Sequence, residues 1–235
     1  MTLDPQTLAD VMEATWPPAA RMSCGPFVLR DGQGGGKRVS SASVQGNWTP
    51  EDLDRAEAAM GASPLFLIRM GDEALDLALG QRGYAVIDPV IAYSAPVDAL
   101  FGEGPRHMTT FPHWPPLHIA AALWADAVIG PARLAVMQRV TGPKTVVLGR
   151  ANDRAAGVAF VACHGVHAML HALEVVPAMR RQGSAQNILR AAAGWARDQG
   201  AVSLSLVVTE ANTPARTLYA AMGMVEIGRY HYRQK

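Results

Sequence analysis

Leu173-Glu-Val-Val-Pro-Ala-Met-Arg-Arg-Gln-Gly-Ser-Ala185, running on into Gln186–Gln199, is the stretch on which the reading of the fold turns. An apolar strand ends in a proline, a basic turn with one glycine follows, and a long amphipathic helix begins. Backbone N–H groups in the first turn of a helix have no intrahelical acceptor, and the helix dipole adds partial positive charge at the same end. A turn of successive N–H groups ahead of such a helix cradles phosphate. Gly183 lets the backbone approach a ligand closely, Ala185 keeps the next turn uncrowded, and Arg180 and Arg181 add long-range attraction. Taken alone, the segment also reads as an ordinary basic connection with a glycine in it.

Working outward, the periodicity predicts a helix over 183–199, a strand over 202–208, a helix over 213–222 and a final strand over 224–232. Upstream lie helical stretches at 117–128 and 131–140. Strands at 144–150, 155–163 and 166–176 follow, separated by turns at Asn152-Asp153 and His164-Gly165, which suggests an antiparallel meander. The first half predicts a helix over 3–14, then strands Phe27–Arg30 and Arg38–Val44 joined by a flexible loop, 31–36. The loop Asp31–Lys37 lacks the G-x-x-x-x-G-K-[ST] spacing of a phosphate loop and the helix that should follow it. Thr49-Pro50-Glu51-Asp52 starts a helix that runs to about Met60. Leu65–Met70 is a strand, Asp72–Arg82 a helix and Tyr84–Ser94 a strand. Pro96–Pro116 is rich in proline and glycine and reads as a linker, dividing the chain into 1–110 and 111–235.

The halves are alike. Shifted by 140 positions, Pro64–Met70 falls on Leu204–Glu210, Asp72 on Asn212, Gly83 on Gly223 and Ile87 on Ile227. Two strand–helix–strand units in matching register suggest an internal duplication. The chain therefore reads as α/β, of the α+β kind.

Composition narrows the function. In 235 residues, 21 Lys+Arg stand against 20 Asp+Glu. That near-neutral balance argues against a dedicated nucleic-acid binder. The two cysteines, Cys24 and Cys163, are far apart and without ligand spacing around them, so neither a zinc site nor a disulfide scaffold is expected. No metal site is expected at all. The N-terminus has no basic and apolar leader pattern, and no apolar run approaches a membrane span. A cytoplasmic protein with no membrane partner is the expectation.

Arg180-Arg-Gln-Gly183-Ser-Ala185 resembles the [QR]-x-x-G-x-[GA] signature of the GNAT superfamily of acyl-CoA-dependent N-acyltransferases. Asn212-Thr-Pro-Ala215-Arg-Thr-Leu-Tyr219-Ala-Ala-Met-Gly223 is similar to the N-x-x-A-x-x-x-Y-x-x-x-G pattern that follows it there. The resemblance implies a twisted, mixed but mostly antiparallel sheet flanked by helices, with the first half as a second, degenerate GNAT-like unit. It implies acetyl-CoA as cosubstrate, with its diphosphate on the N–H groups of Arg181, Gln182, Gly183, Ser184, Ala185 and Gln186. It further implies that strand 171–176 splays from 203–208, and that pantetheine pairs with backbone near Leu173 and Val175. A backbone N–H there would polarise the thioester carbonyl.

Tyr219 is the residue expected to protonate the departing thiolate. Asn212, seven residues earlier on the same helical face, is an N-cap and also a candidate cofactor contact. Glu174 is the leading general base. His171 and His167 are alternatives, placed by strict alternation on the opposite face of the strand. Trp195 and Leu189 read as core. By the 140-residue offset, Arg180, Gly183 and Tyr219 correspond to Ser40, Ser43 and Leu79, so the first half lacks the phosphate turn and the proton donor. It is expected to shape the acceptor pocket instead.

The activity implied is acetyl transfer from acetyl-CoA to a primary amine, in a small molecule or peptide, by direct attack. No cysteine in the motifs suggests an acyl-enzyme. A non-catalytic acyl-CoA-binding regulatory module and a nucleotide-binding enzyme of another fold are the alternatives. Edge strands in this superfamily often support dimers, so a homodimer is a partner to expect.

Overall fold

The computed structural model describes residues 3–235. The first half runs α1 (Pro5–Thr15), β1 (Ala20–Cys24), β2 (Phe27–Asp31), a 3-10 turn (Lys37–Val39), β3 (Ser43–Val44), α2 (Pro50–Met60), β4 (Leu65–Arg69), α3 (Glu73–Gln81) and β5 (Ala85–Pro96). Then come α4 (Val97–Phe101), β6 (Thr110–His113), α5 (His118–Asp126) and α6 (Pro131–Arg139). The second half continues with β7 (Lys144–Ala151), β8 (Arg154–His164), β9 (His167–Val175), a 3-10 turn (Pro177–Met179), α7 (Ser184–Asp198), β10 (Ser203–Thr209), α8 (Thr213–Ala221) and β11 (Val225–Gln234). Eight strands form one sheet in the order β4-β11-β5-β10-β9-β8-β7-β6, and β1-β2-β3 form a second. Every pair is antiparallel except β9–β10. This is the mixed, mostly antiparallel sheet flanked by helices that the sequence led us to expect.

Helix α7 anchors one face. Ile188, Leu189, Ala192, Ala193 and Ala196 are buried against β7, β8 and β9, with Trp195 half-buried beside them. Each fully buried large aliphatic contributes about 1.5–3 kcal/mol. The helix seats close to the sheet because Gly149 lies beneath it: a Cβ there would come within 2.7 Å of Ile188 Cδ1. On the other face, α5 and α6 pack Trp124, Val136 and Met137 against Val146, Val158 and Phe160, and α1 packs Leu8, Val11 and Met12 against β4, β5 and β11.

The duplication is visible in the strand register. Under the 140-residue offset α3 falls on α8, and the partners Leu65↔Gln234, Ile68↔His231 and Arg69↔Tyr230 become Ser205↔Ser94, Val208↔Ile91 and Thr209↔Val90, all of them observed. The C-terminal strands of the two units are exchanged. β11 lies between β4 and β5, and β5 lies between β11 and β10.

Three expectations need correction. Residues 96–116 are not a bare linker: α4 packs on α7, and β6 pairs with β7 at the sheet edge. Pro112 sits in β6, and proline is tolerated on an edge strand, so the segment carried no strand pattern. The 110/111 division falls inside β6. The strand expected over Arg38–Val44 is a 3-10 turn followed by a two-residue strand, because Arg38 turns inward to the sheet. Lastly, β1 had no apolar alternation to announce it, since four of its five residues are exposed.

The shared sheet makes the halves one cooperative unit. Phe66, fully buried between Phe27 and Tyr84, tests this. Phe66→Ala should cost about 3–5 kcal/mol and leave a single urea transition. Hydrogen exchange should accelerate in β7–β9 as well as in β4 and β11; retained protection in β7–β9 alone would show two independent units.

Candidate functional site

The site is built on a gap in the sheet. Strands β9 and β10 pair in parallel only from His167↔Ser203 to Leu170↔Leu206. Beyond that point β9 continues on β8 as far as Val175, while β10 continues on β5 as far as Thr209. The facing edges of residues 171–175 and 207–209 are therefore unpaired to each other.

A cavity of about 510 Å³ opens on the α7 side of the gap. Leu173 and Val175 form one wall, and Asn212, Ala215 and Tyr219 of α8 the other. Arg180, Arg181, Gly183, Ser184, Ala185 and Gln186 line its mouth. The turn is shaped by Arg181 at φ 62° and Gly183 at φ 80°, the left-handed region that glycine enters without a Cβ penalty. The first backbone bond into α7 is Asn187 N–H to Gly183 C=O at 3.0 Å. Among the described residues, the N–H groups of 181–186 have no backbone acceptor. The Ser184 hydroxyl is buried and also lacks a partner. Unsatisfied donors in a row at a helix start, with an orphaned hydroxyl beside them, fit a diphosphate. Gln182 contributes backbone only: its side chain donates to Ala178 C=O and accepts from Asn152.

Asn212 caps α8, its Oδ1 accepting from Ala215 N–H at 3.2 Å, and still lines the cavity. Tyr219 is buried with its ring 5.8 Å from that of Tyr93, which β5 supplies from the first half. The Tyr219 hydroxyl makes no hydrogen bond to the described residues. Burial, and then the charge of Glu174, push it up to about 12, so it stays protonated at neutral pH.

The opposite face is set by a bulge. Ala172 has φ 52°, and the register against β8 slips between Val158↔Glu174 and Phe160↔His171. Trp124 Nε1–H donates to the Ala172 carbonyl at 2.8 Å and holds it. One extra residue inverts the alternation that follows. Glu174 is therefore on the same face as His171 and His167, not opposite to them as strict alternation predicted. Burial raises the Glu174 pKa, opposed by Arg180 and Arg133.

His171 is fully engaged. Arg38 can only donate, so Nδ1 accepts from its Nη1 at 3.1 Å. Thr15 Oγ1 gives its proton to Val11 C=O, so it accepts from His171 Nε2–H at 2.9 Å. The ring is the neutral Nε2–H tautomer with no lone pair to spare. His167 is occupied with Ser203 at 2.8 Å, in the paired part of the strand.

His171 lies in a second cavity, about 370 Å³, which reaches the same gap from this face through Ala172, Val207, Val208 and Thr209. Its other walls are Trp16, Lys37, Arg38, Asp88, Arg133, Tyr230 and Tyr232. Sequence reasoning did not foresee these residues. They come from five separate segments, and no local motif joins them.

In the first half, helix α2 takes the place that α7 holds in the second, after three strands and before a strand and a helix. The offset of 140 thus fails upstream of β4. Ser43 lies in β3 and Ser40 ends a 3-10 turn, and neither faces a helix start. The helix start itself is closed. Thr49 and Asp52 form a reciprocal capping box, Pro50 has no N–H, and Glu51 and Asp52 repel anions. Leu79 is fully buried in the core.

Burial and the Arg38 charge hold the His171 pKa well below its ordinary value. The unfolded chain takes up that proton near 6.5 and the folded chain does not, so this contribution to stability is complete above that pH and is lost as pH falls below it. Denaturation measured at a series of pH values should show a slope of up to about 1.4 kcal/mol per pH unit from this group. His171→Gln should flatten the profile below pH 6.5; an unchanged slope would mean that His171 titrates freely when folded.

The comparisons accord with this geometry. The Acetyltransferase (GNAT) family model matches residues 92–224, more than half of the chain. An uncharacterized N-acetyltransferase, YobR of Bacillus subtilis (strain 168), is 23% identical over 242 residues, covering 94% of this chain and 95% of that protein. A GCN5-related N-acetyltransferase from Kribbella flavida shares the fold with a TM-score of 0.70 at 17% identity, over 97% of this chain and 94% of that one. A tandem GNAT protein from the clavulanic acid biosynthesis pathway gives 0.63 at 15% identity, over 98% and 88%. No helix among the described residues is long and apolar enough to cross a membrane. With the family model spanning both the helix-start turn and the Tyr219 helix, this chain belongs to the GNAT acetyltransferase family.

Proposed function

We propose that the chain transfers an acetyl group from acetyl-CoA to the primary amine of a small-molecule or peptide acceptor, by direct attack at the gap between β9 and β10. The observation that carries this reading is the meeting of two cavities at one unpaired strand edge, with a row of free N–H donors and a protonated phenol on one side. Acetyl-CoA, when bound, supplies an activated thioester. The amides of 181–186 and the Ser184 hydroxyl hold its diphosphate, assisted by Arg180 and Arg181. The open edge at Leu173 and Val175 pairs with the pantetheine amides and offers an N–H to the carbonyl oxygen. Asn212 flanks this channel.

Tyr219 donates a hydrogen bond to the sulfur as negative charge develops there. A pKa of about 12 makes complete transfer to a thiolate, ordinarily near 8.5, uphill. The phenol therefore acts first as a fixed donor and secondarily as a proton source. Glu174 is the general base, reached through a water: the bulge turns it to the acceptor face, and its raised pKa strengthens it as a base. Residues 1–110 form a degenerate half that binds no cofactor and walls the acceptor side. We place the reaction in the cytoplasm, where acetyl-CoA is available.

Two measurements test this reading. Tyr219→Phe should lower kcat in a thiol-release assay by on the order of 10²-fold with acetyl-CoA affinity retained; unchanged turnover removes Tyr219 from the mechanism. Calorimetric titration of the intact chain with acetyl-CoA should give one site per chain, and two sites would refute the degenerate assignment. Binding with no turnover of any amine would favour a regulatory module that senses acyl-CoA.

A further inference from the structure

The cavity on the His171 face carries more positive charge than a site for a simple amine needs. Lys37, Arg38 and Arg133 line it, against the single acid Asp88. Lys37 is ion-paired with Asp88. Arg38 and Arg133 form no salt bridge among the described residues; the Arg133 charge acts on Glu174, and Arg38 has no carboxylate of its own at the acceptor side of the gap.

Arg38 is also oriented. Its Nη1 donates to His171 Nδ1, and its guanidinium carbon stands 6.0 Å from the Trp16 ring centroid. Its Nε is sealed from solvent and has no acceptor. Native proteins rarely leave a buried charged donor unmatched, because its desolvation is then uncompensated. A guanidinium pairs with a carboxylate through a planar fork of donors whose spacing matches the two oxygens. Arg38 is held in place by His171 and Trp16, with the Tyr232 hydroxyl beside it, and no carboxylate among the described residues pairs with it.

We infer that the acyl acceptor is an amine that also bears a carboxylate, an amino acid or a close analogue, and that its carboxylate docks against the Arg38 guanidinium where it lines the cavity, with Arg133 adding charge. The inference rests on the N-acetyltransferase reading above. A cavity of about 370 Å³ suits a molecule of that size. A diamine or polyamine brings a second cation next to Arg38 and Arg133 and is repelled. The same charges lower the pKa of a bound ammonium, which raises the fraction of free amine able to attack. This matters because His171 has no lone pair to take the proton.

The test has two arms. Thiol release from acetyl-CoA is followed with the twenty common L-amino acids, their carboxamides, putrescine and cadaverine. In parallel, calorimetry measures binding of the amino acids and of the corresponding desamino carboxylic acids to the chain saturated with CoA. The expected result is kcat/KM about 10- to 100-fold higher for acids than for their amides. Arg38→Gln should abolish most of that difference, chiefly through KM, with CoA affinity kept. Arg38→Lys, which restores charge without the fork, should recover little of it. Should Arg38→Gln fail to fold, Arg133→Gln on the half-exposed side of α6 should raise KM for the acids several-fold more than KM for the amides.

Equal or better turnover of diamines, or an acid preference insensitive to these variants, overturns the inference while acetyl transfer stands. If no amine is acetylated, Arg38-dependent binding of the desamino acids upholds the carboxylate site and removes only the reaction. Absence of that binding overturns the site.

Discussion

Two strands that start as hydrogen-bonded neighbours and are then pulled apart are the constraint on which the rest depends. β9 is tied to β8 through Val175, and β10 is tied to β5 through Thr209. Each outer partner is antiparallel and follows its own twist, and the bulge at Ala172 turns β9 further. The parallel pairing between them ends at Leu170 and Leu206 because both strands cannot satisfy both neighbours beyond that point. The inner edges that result carry backbone polar groups without strand partners, a costly arrangement inside a protein unless water or a ligand reaches them. Here two cavities reach them, one from each face.

The exchange of C-terminal strands ties the first half to this device. β5 occupies the place beside β10 that β11 would take if each unit closed on itself. The strand that pins β10 open is thus a first-half strand, and it delivers Tyr93 against Tyr219 and Asp88 and Val90 into the second cavity. Lys37 and Arg38 reach the same cavity from the turn before β3. The first unit has no open helix start of its own at α2, since Thr49, Pro50 and Asp52 close it. What it retains is a structural hold on the other unit's strand gap.

Much of this was legible in the residues. Periodicity and caps located nearly every helix, and Pro50–Met60 matches the expected α2 within a residue. The 140-residue offset foresaw a register symmetry that the strand partners obey pair by pair. The helix-start motif and the Asn212–Tyr219 spacing placed ten of the expected site residues around one cavity. These features share a cause: each depends on residues within a turn or two of one another, where backbone geometry follows directly from local chemistry.

The remainder depended on distant segments meeting. One extra residue at Ala172 reversed which face Glu174 occupies, and that bulge is held by Trp124, 48 positions away. The neutral state of His171 is imposed by Thr15 and Arg38, 156 and 133 positions away. No sequence period encodes such contacts. The sequence by itself determined most of the strands and helices, the anion-ready turn and the kinship of the two halves, because all of these are local or repeated. Only the tertiary structure decided that the C-terminal strands change places, that β9 and β10 part, and that two unpaired guanidinium groups face the opening, because those outcomes follow from the packing of whole elements against one another.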